Sequence, residues 1–138
     1  MKIAVLAWGS LIWDPRNLQT ATGFVPFGPV LPIEFSRVSG GKRLTLVIDE
    51  ANGAPCQTYV AQSVYADCDT AKINLKEREG MTHVNGVGFV DLTTNTEGIR
   101  SKERHPTALE TIRAWAISTG YDSVIWTALA SNFHEEGK

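Results

Sequence analysis

Glycine and proline cut the first half of this chain into short pieces, and that constrains the fold more than any other feature. Gly23, Pro26, Gly28 and Pro29 stop any long element after the first twenty residues. Gly40-Gly41 and Asn52-Gly53 are hairpin-type turn signals. Between the turns the apolar residues alternate. Ile33, Phe35 and Arg37 interleave with Glu34, Ser36 and Val38, and Leu44, Leu46 and Ile48 share one face of a return strand. Thr58 to Tyr65 has strand composition. Lys2 to Ala7 is a short apolar run ending at a glycine, and reads as a buried first strand.

The period changes in two places. From Asp67 to Glu79, Ala71, Leu75 and Glu79 recur at helical spacing, with Asp67 or Asp69 as the cap and Gly80 in the C′ position. Thr107-Ala108-Leu109-Glu110 matches a capping box, which predicts a helix with Leu109, Ile112, Trp115 and Ala116 on one face, closed by Gly120. Asp14-Pro15 marks a short helical turn. Gly86 to Leu92 and Ser123 to Leu129 return to strand character, and the last residues, 134–138, read as a polar frayed end. Strands joined by tight turns predict mostly antiparallel pairing. The expected fold is a single α+β domain over residues 1–138, built as a mostly antiparallel β-barrel or strongly curved sheet with flanking helices.

Charge narrows the function classes. The net charge is −2, and acidic and basic residues are interspersed. No clustered basic face suggests nucleic acid, and no apolar run approaches the length of a membrane helix. A small neutral or zwitterionic ligand suits this balance better than a polyanion. Cys56 and Cys68 form no CxxC pair; without a secretory signal they are expected as reduced thiols in the cytoplasm, though a disulfide fits the count. His83, His105 and His134 are scattered, so no metal site is expected.

Two short stretches carry chemistry. Trp8-Gly9-Ser10-Leu11 follows the first strand. Glycine lets a backbone approach a ligand, consecutive amides attract an oxyanion, and Ser10 adds a hydroxyl. The competing reading is a tight turn whose glycine relieves strain, with Trp8 and Trp13 as core. The second stretch is Glu77-Arg78-Glu79-Gly80. Glu79 shares the inward face of Ala71 and Leu75, whereas Glu77 lies on the opposite side. Desolvation and the negative end of the helix dipole would raise the pKa of Glu79, as a general acid/base near neutral pH requires. A helix-end glutamate paired with Arg78 is the competing reading. Arg37 points inward with Ile33 and Phe35 if its strand is regular, where it could grip a substrate carboxylate; a bulge would turn it outward. Ser10 lacks the strand–turn–helix elbow and histidine base of an acyl-enzyme nucleophile.

Together these stretches resemble the γ-glutamylcyclotransferase-like superfamily, which carries a Tyr-Gly-Ser loop after its first strand and a catalytic glutamate after a mid-chain helix. Ala7-Trp8-Gly9-Ser10-Leu11-Ile12-Trp13-Asp14-Pro15 looks most like the ChaC-type branch, as does the hairpin Phe35 to Val47. The resemblance covers roughly the first ninety residues. It implies a cofactor-independent enzyme of lyase or acyltransferase type, which releases 5-oxoproline from a small γ-glutamyl peptide or amine. Glu79 would be the general acid/base, and Trp8, Gly9, Ser10, Leu11 and Arg37 would bind substrate. The family's loop tyrosine is Trp8 here, which keeps an aromatic wall but loses the hydroxyl. The alternatives are a non-catalytic module on the same fold that binds an amino-acid-like ligand, or a purely structural protein.

Overall fold

A computed structural model describes residues 2–12, 18–39, 43–79, 81 and 83–127. The first strand, β1 (Ile3–Ala7), is buried along its whole length. That fits an unbroken apolar run, since only a strand covered on both faces has no polar positions to alternate. β1 lies inside a five-stranded sheet of order β5-β1-β8-β6-β7, built with β5 (Tyr59–Gln62), β6 (Val87–Asp91), β7 (Thr96–Glu97) and β8 (Ser123–Thr127). β1 runs antiparallel to β5 and parallel to β8, and the β6 pairings are antiparallel. A second sheet, β3-β2-β4, is wholly antiparallel, made of β2 (Val30–Ser39), β3 (Arg43–Ile48) and β4 (Ala54–Gln57). The fold is thus α+β with mostly antiparallel pairing, in two sheets; no closed barrel is found among the described residues.

Alternation along β1 divides the interior in two. Ile3, Val5 and Ala7 face one way, where α1 (Cys68–Glu79) supplies Cys68, Ala71 and Leu75. Ala4 and Leu6 face the other way, with Leu31, Ile33 and Ile48 of the second sheet and Leu109, Ile112 and Ala116 of α3 (Pro106–Thr119). The helical spacing of 71/75 and of 109/112/116 places these residues on one stripe of each helix.

The capping of α1 settles on Asp67, whose carboxylate accepts from the Thr70 N–H at 3.0 Å and the Thr70 hydroxyl at 2.8 Å. Asp69 instead pairs with Lys72. At the other end of the chain α3 closes on Gly120, which adopts φ +82° and donates its N–H to the Ala116 carbonyl at 3.0 Å.

Three expectations require correction. The capping box at Thr107 does not open α3, because the helix begins at Pro106 and Thr107 lies within its first turn. Proline's fixed φ suits that first position. The orphan N–H of Ala108 is taken by Glu50, a carboxylate from the turn after β3, at 2.7 Å. Second, a short helix, α2 (Ile99–Arg104), precedes α3, where no helix is expected. Third, the expected strand Thr58–Tyr65 is shorter, and the chain changes sheets just before it. β4 ends at Gln57, Thr58 is the corner, and β5 begins at Tyr59. The Thr58 hydroxyl donates to the Pro29 carbonyl at 2.5 Å, and its carbonyl accepts from the Gly28 N–H at 3.1 Å. Asp14-Pro15, Gly40-Gly41, Gly80, 128–129 and 134–138 lie outside the described residues.

Candidate functional site

β1 carries Trp8 and Gly9 out of its end and into a 3-10 turn, Ser10–Ile12, closed by the Ile12 N–H on the Gly9 carbonyl at 3.1 Å. The loop divides between the two faces of the sheet. Trp8 continues the even-numbered face of β1, is buried against the second sheet, and donates its indole N–H to the Leu46 carbonyl at 3.2 Å. Leu11 is buried on the other face with Leu18, Ala71 and Leu75. The Gln19 N–H donates to Asn74 Oδ1 at 2.8 Å and fastens the segment after the loop to the same helix.

The position of Gly9 is informative. Its φ is not positive, so the backbone does not require glycine. Among the described residues, a Cβ added there would meet only Leu46 Cδ1, at 3.8 Å, an ordinary contact. Neither a left-handed φ nor crowding by the described residues therefore explains this glycine. A bare hydrogen there allows close approach to the backbone.

Glu79 ends α1, one turn beyond the fully buried Leu75. Its side chain is 26% exposed, whereas Glu77 is exposed, as the inward and outward faces predict. Arg78 is buried beside it, with the guanidinium 3.8 Å from the Glu79 carboxylate. This is the pairing with Arg78 that the competing, structural reading of a helix-end glutamate expects. Leu11 and Leu75 share one apolar cluster, so the 3-10 turn and the last turns of α1 lie on the same side of the sheet. Trp8 is on the other side.

Arg37 follows an irregularity in the β2–β3 ladder: Phe35 pairs with Leu46 and Arg37 with Thr45, leaving Ser36 as the extra residue. The regular alternation that would align Arg37 with Ile33 and Phe35 is thus broken between them. The Ser10 hydroxyl and the Arg37 guanidinium lie outside the described atoms.

Among the remaining titratable groups, His83 is exposed and His105 is buried between α2 and α3. Burial holds the His105 imidazole below its ordinary pKa, partly offset by the nearby Glu50 carboxylate. His105 Nδ1 has no hydrogen-bond partner among the described residues. Cys68 is buried and Cys56 half-buried, both as free thiols; burial pushes the Cys68 thiol pKa up. The described residues hold no group of three or more metal-ligating side chains, and no helix among them is long and apolar enough to cross a membrane.

A cavity of about 470 Å³ opens elsewhere, beside α1, β6 and α2. Lys72, Phe89 and Ser101 line it, and Trp8, Gly9, Leu11 and Glu79 do not. Sequence reading missed it because its walls come from five separate elements: α1, the 3-10 turn Val84–Gly86, β6, β7 and α2. The one available signal was a lysine on the apolar side of α1, seven residues before Glu79 and so on the same helical face. No protein-family model, curated protein or solved structure matches this chain.

Proposed function

We propose that this protein is a γ-glutamyl cyclotransferase of the γ-glutamylcyclotransferase-like superfamily, with Glu79 as its acid/base and the Gly9–Leu11 turn as its substrate cradle. The observation that carries the reading is Gly9, a glycine that neither its backbone conformation nor crowding by the described residues requires, in the loop where the family binds substrate. The half-buried Glu79 supports it, one turn from a leucine that packs with Leu11. The chain's change of sheet at Thr58 supports the finer fold reading, in which the two sheets belong to one strongly curved, barrel-like surface.

In the proposed reaction, the α-amine of a γ-glutamyl group attacks its own γ-carbonyl. The new C–N bond closes a five-membered lactam, the old one breaks, and an amine or peptide leaves. Glu79 takes the proton from the attacking amine and returns it to the leaving nitrogen. Holding the substrate curled supplies proximity, and the loop backbone does the holding. No net proton or electron is consumed, so no cofactor is called for.

The test is 5-oxoproline release from a panel of γ-glutamyl peptides and amines. Glu79→Gln should abolish release, by at least about 100-fold for a lost general acid/base, with its circular dichroism unchanged. Gly9→Ala should lower kcat/KM while keeping or slightly raising Tm. Wild-type release that survives Glu79→Gln would refute the assignment.

One observation favours a second reading, a non-catalytic module that binds an amino-acid-like ligand. Trp8 spends its only polar group on the Leu46 carbonyl, so the family's loop hydroxyl has no replacement at that position. Saturable binding of a γ-glutamyl compound without release from any panel member would select this reading.

A further inference from the structure

The cavity beside α1 is separate from the proposed catalytic turn and has a chemistry of its own. Val84, Val87, Phe89 and Ile99 form apolar walls. Its volume, about 470 Å³, lies in the lower part of the range for small-molecule sites. Ile99 is 75% exposed and Val84 is also exposed, so apolar side chains stand in water at its mouth.

Two polar groups in the wall are poorly satisfied. The Lys72 side chain is only 14% exposed. Its ammonium sits 3.8 Å above the centre of the Phe89 ring and 3.1 Å from the Asp69 carboxylate. An ammonium has three donors; the ring face and Asp69 occupy two. Asp69 is itself 81% exposed, a solvated partner that offsets little of the desolvation of the cation. Ser101, 1% exposed, has a hydroxyl with no hydrogen-bond partner among the described residues, not even the backbone carbonyl that a helical serine usually finds.

The remaining charges fix the sign of the ligand. Glu97 is already answered twice, by Arg113 and by Lys102 at 3.6 Å. Glu103 is exposed, so water screens it. Among the described residues, the largely buried charge facing the cavity is therefore positive.

We propose that this cleft binds a small monocarboxylate with a branched or aromatic apolar body, its carboxylate on Lys72 and its body between Phe89, Val87 and Ile99. Burial of the apolar body removes the exposed rim from water, and the carboxylate supplies the acceptor that Lys72 lacks.

The experiment is a titration of the ¹⁵N-labelled full chain with 4-methylpentanoate and, separately, with its carboxamide, followed by amide chemical shifts. The acid should give saturable shifts centred on Lys72, Phe89, Ile99 and Ser101. The amide should bind at least tenfold more weakly. Lys72→Met, which keeps the side-chain length, should weaken the acid at least tenfold. Should that variant misfold, Ile99→Asp at the exposed mouth places a like charge beside the ligand and should weaken it comparably. Equal binding of acid and amide, no saturable shift in the millimolar range, unaltered affinity in a folded variant, or shifts centred on Gly9–Leu11 would each overturn the proposal.

Discussion

Gly88 on β6 is the place where one methyl group should cost most. It pairs with Trp126 across the β6–β8 ladder. Its φ is not positive, so alanine suits the backbone, and only space decides the outcome. A Cβ there would stand 2.5 Å from Trp126 Cε2, 2.6 Å from Trp126 Nε1 and 2.7 Å from Ser101 Oγ. The serine can rotate away. The indole is 1% exposed and packed in the core with Leu109 and Val90, so it must push its neighbours. Overpacking of this kind costs about 1–3 kcal/mol. Contacts this short put the site in the upper half of that range, about 2–3 kcal/mol. The alanine returns about 0.4–1 kcal/mol by restricting the unfolded chain, which leaves a net loss of about 1–2.5 kcal/mol. At the usual unfolding entropy per residue, that lowers Tm by roughly 3–9 °C for a chain of this length. Thermal unfolding followed by circular dichroism and tryptophan fluorescence measures it. In a Trp126→Phe background, which removes the nitrogen-bearing ring, the loss should shrink. A Gly88→Ala protein that melts at or above wild type would refute the packing argument.

Other consequences can be measured on the same preparations. Glu50→Ala removes the carboxylate that caps α3 and should cost about 1 kcal/mol in urea denaturation, with Glu50→Gln losing less, because the amide still accepts the hydrogen bond; an unchanged midpoint for both would show the cap to be dispensable. His105 is held neutral by burial, so the unfolded chain binds the extra proton first as pH falls. Stability should therefore drop as pH falls from about 6.5, and His105→Gln should flatten that slope; an equally steep slope in the variant would assign it elsewhere. Cys56 should react with a thiol reagent in the native protein well before Cys68, whose thiol is buried beside Ser123 Oγ at 3.1 Å; two thiols reacting at one rate would contradict this placement.

Local signals were legible where a single element contains its own reason. β1, the β2–β3 hairpin, the face of α1 that carries Ala71, Leu75 and Glu79, and the Gly120 stop of α3 all follow from spacing and punctuation. What was not legible depends on residues distant in the chain. No local pattern shows that the cap of α3 comes from Glu50, fifty-eight residues away from Ala108. β4, just before the strand expected from Thr58, was missed because Ala54-Pro55-Cys56-Gln57 carries a proline and no apolar alternation. α2 is six residues long and has no apolar stripe to betray it. Of the candidate site, the relative burial of Glu77 and Glu79 was readable from the helical period. The separation of Trp8 from Leu11 by the sheet was not, because it turns on which face each residue of a loop chooses after the strand has ended.

The parallel pairing of β1 with β8 also governs the order in which this protein can fold. The Lys2 N–H reaches the Asp122 carboxylate across 120 residues of sequence, beside the Ile3–Ser123 pairing. Closing a loop of that length costs on the order of 4 kcal/mol in chain entropy. Synthesis makes β5 long before β8, so until β8 exists β1 can be paired on one edge only, and its other edge is open to strand addition.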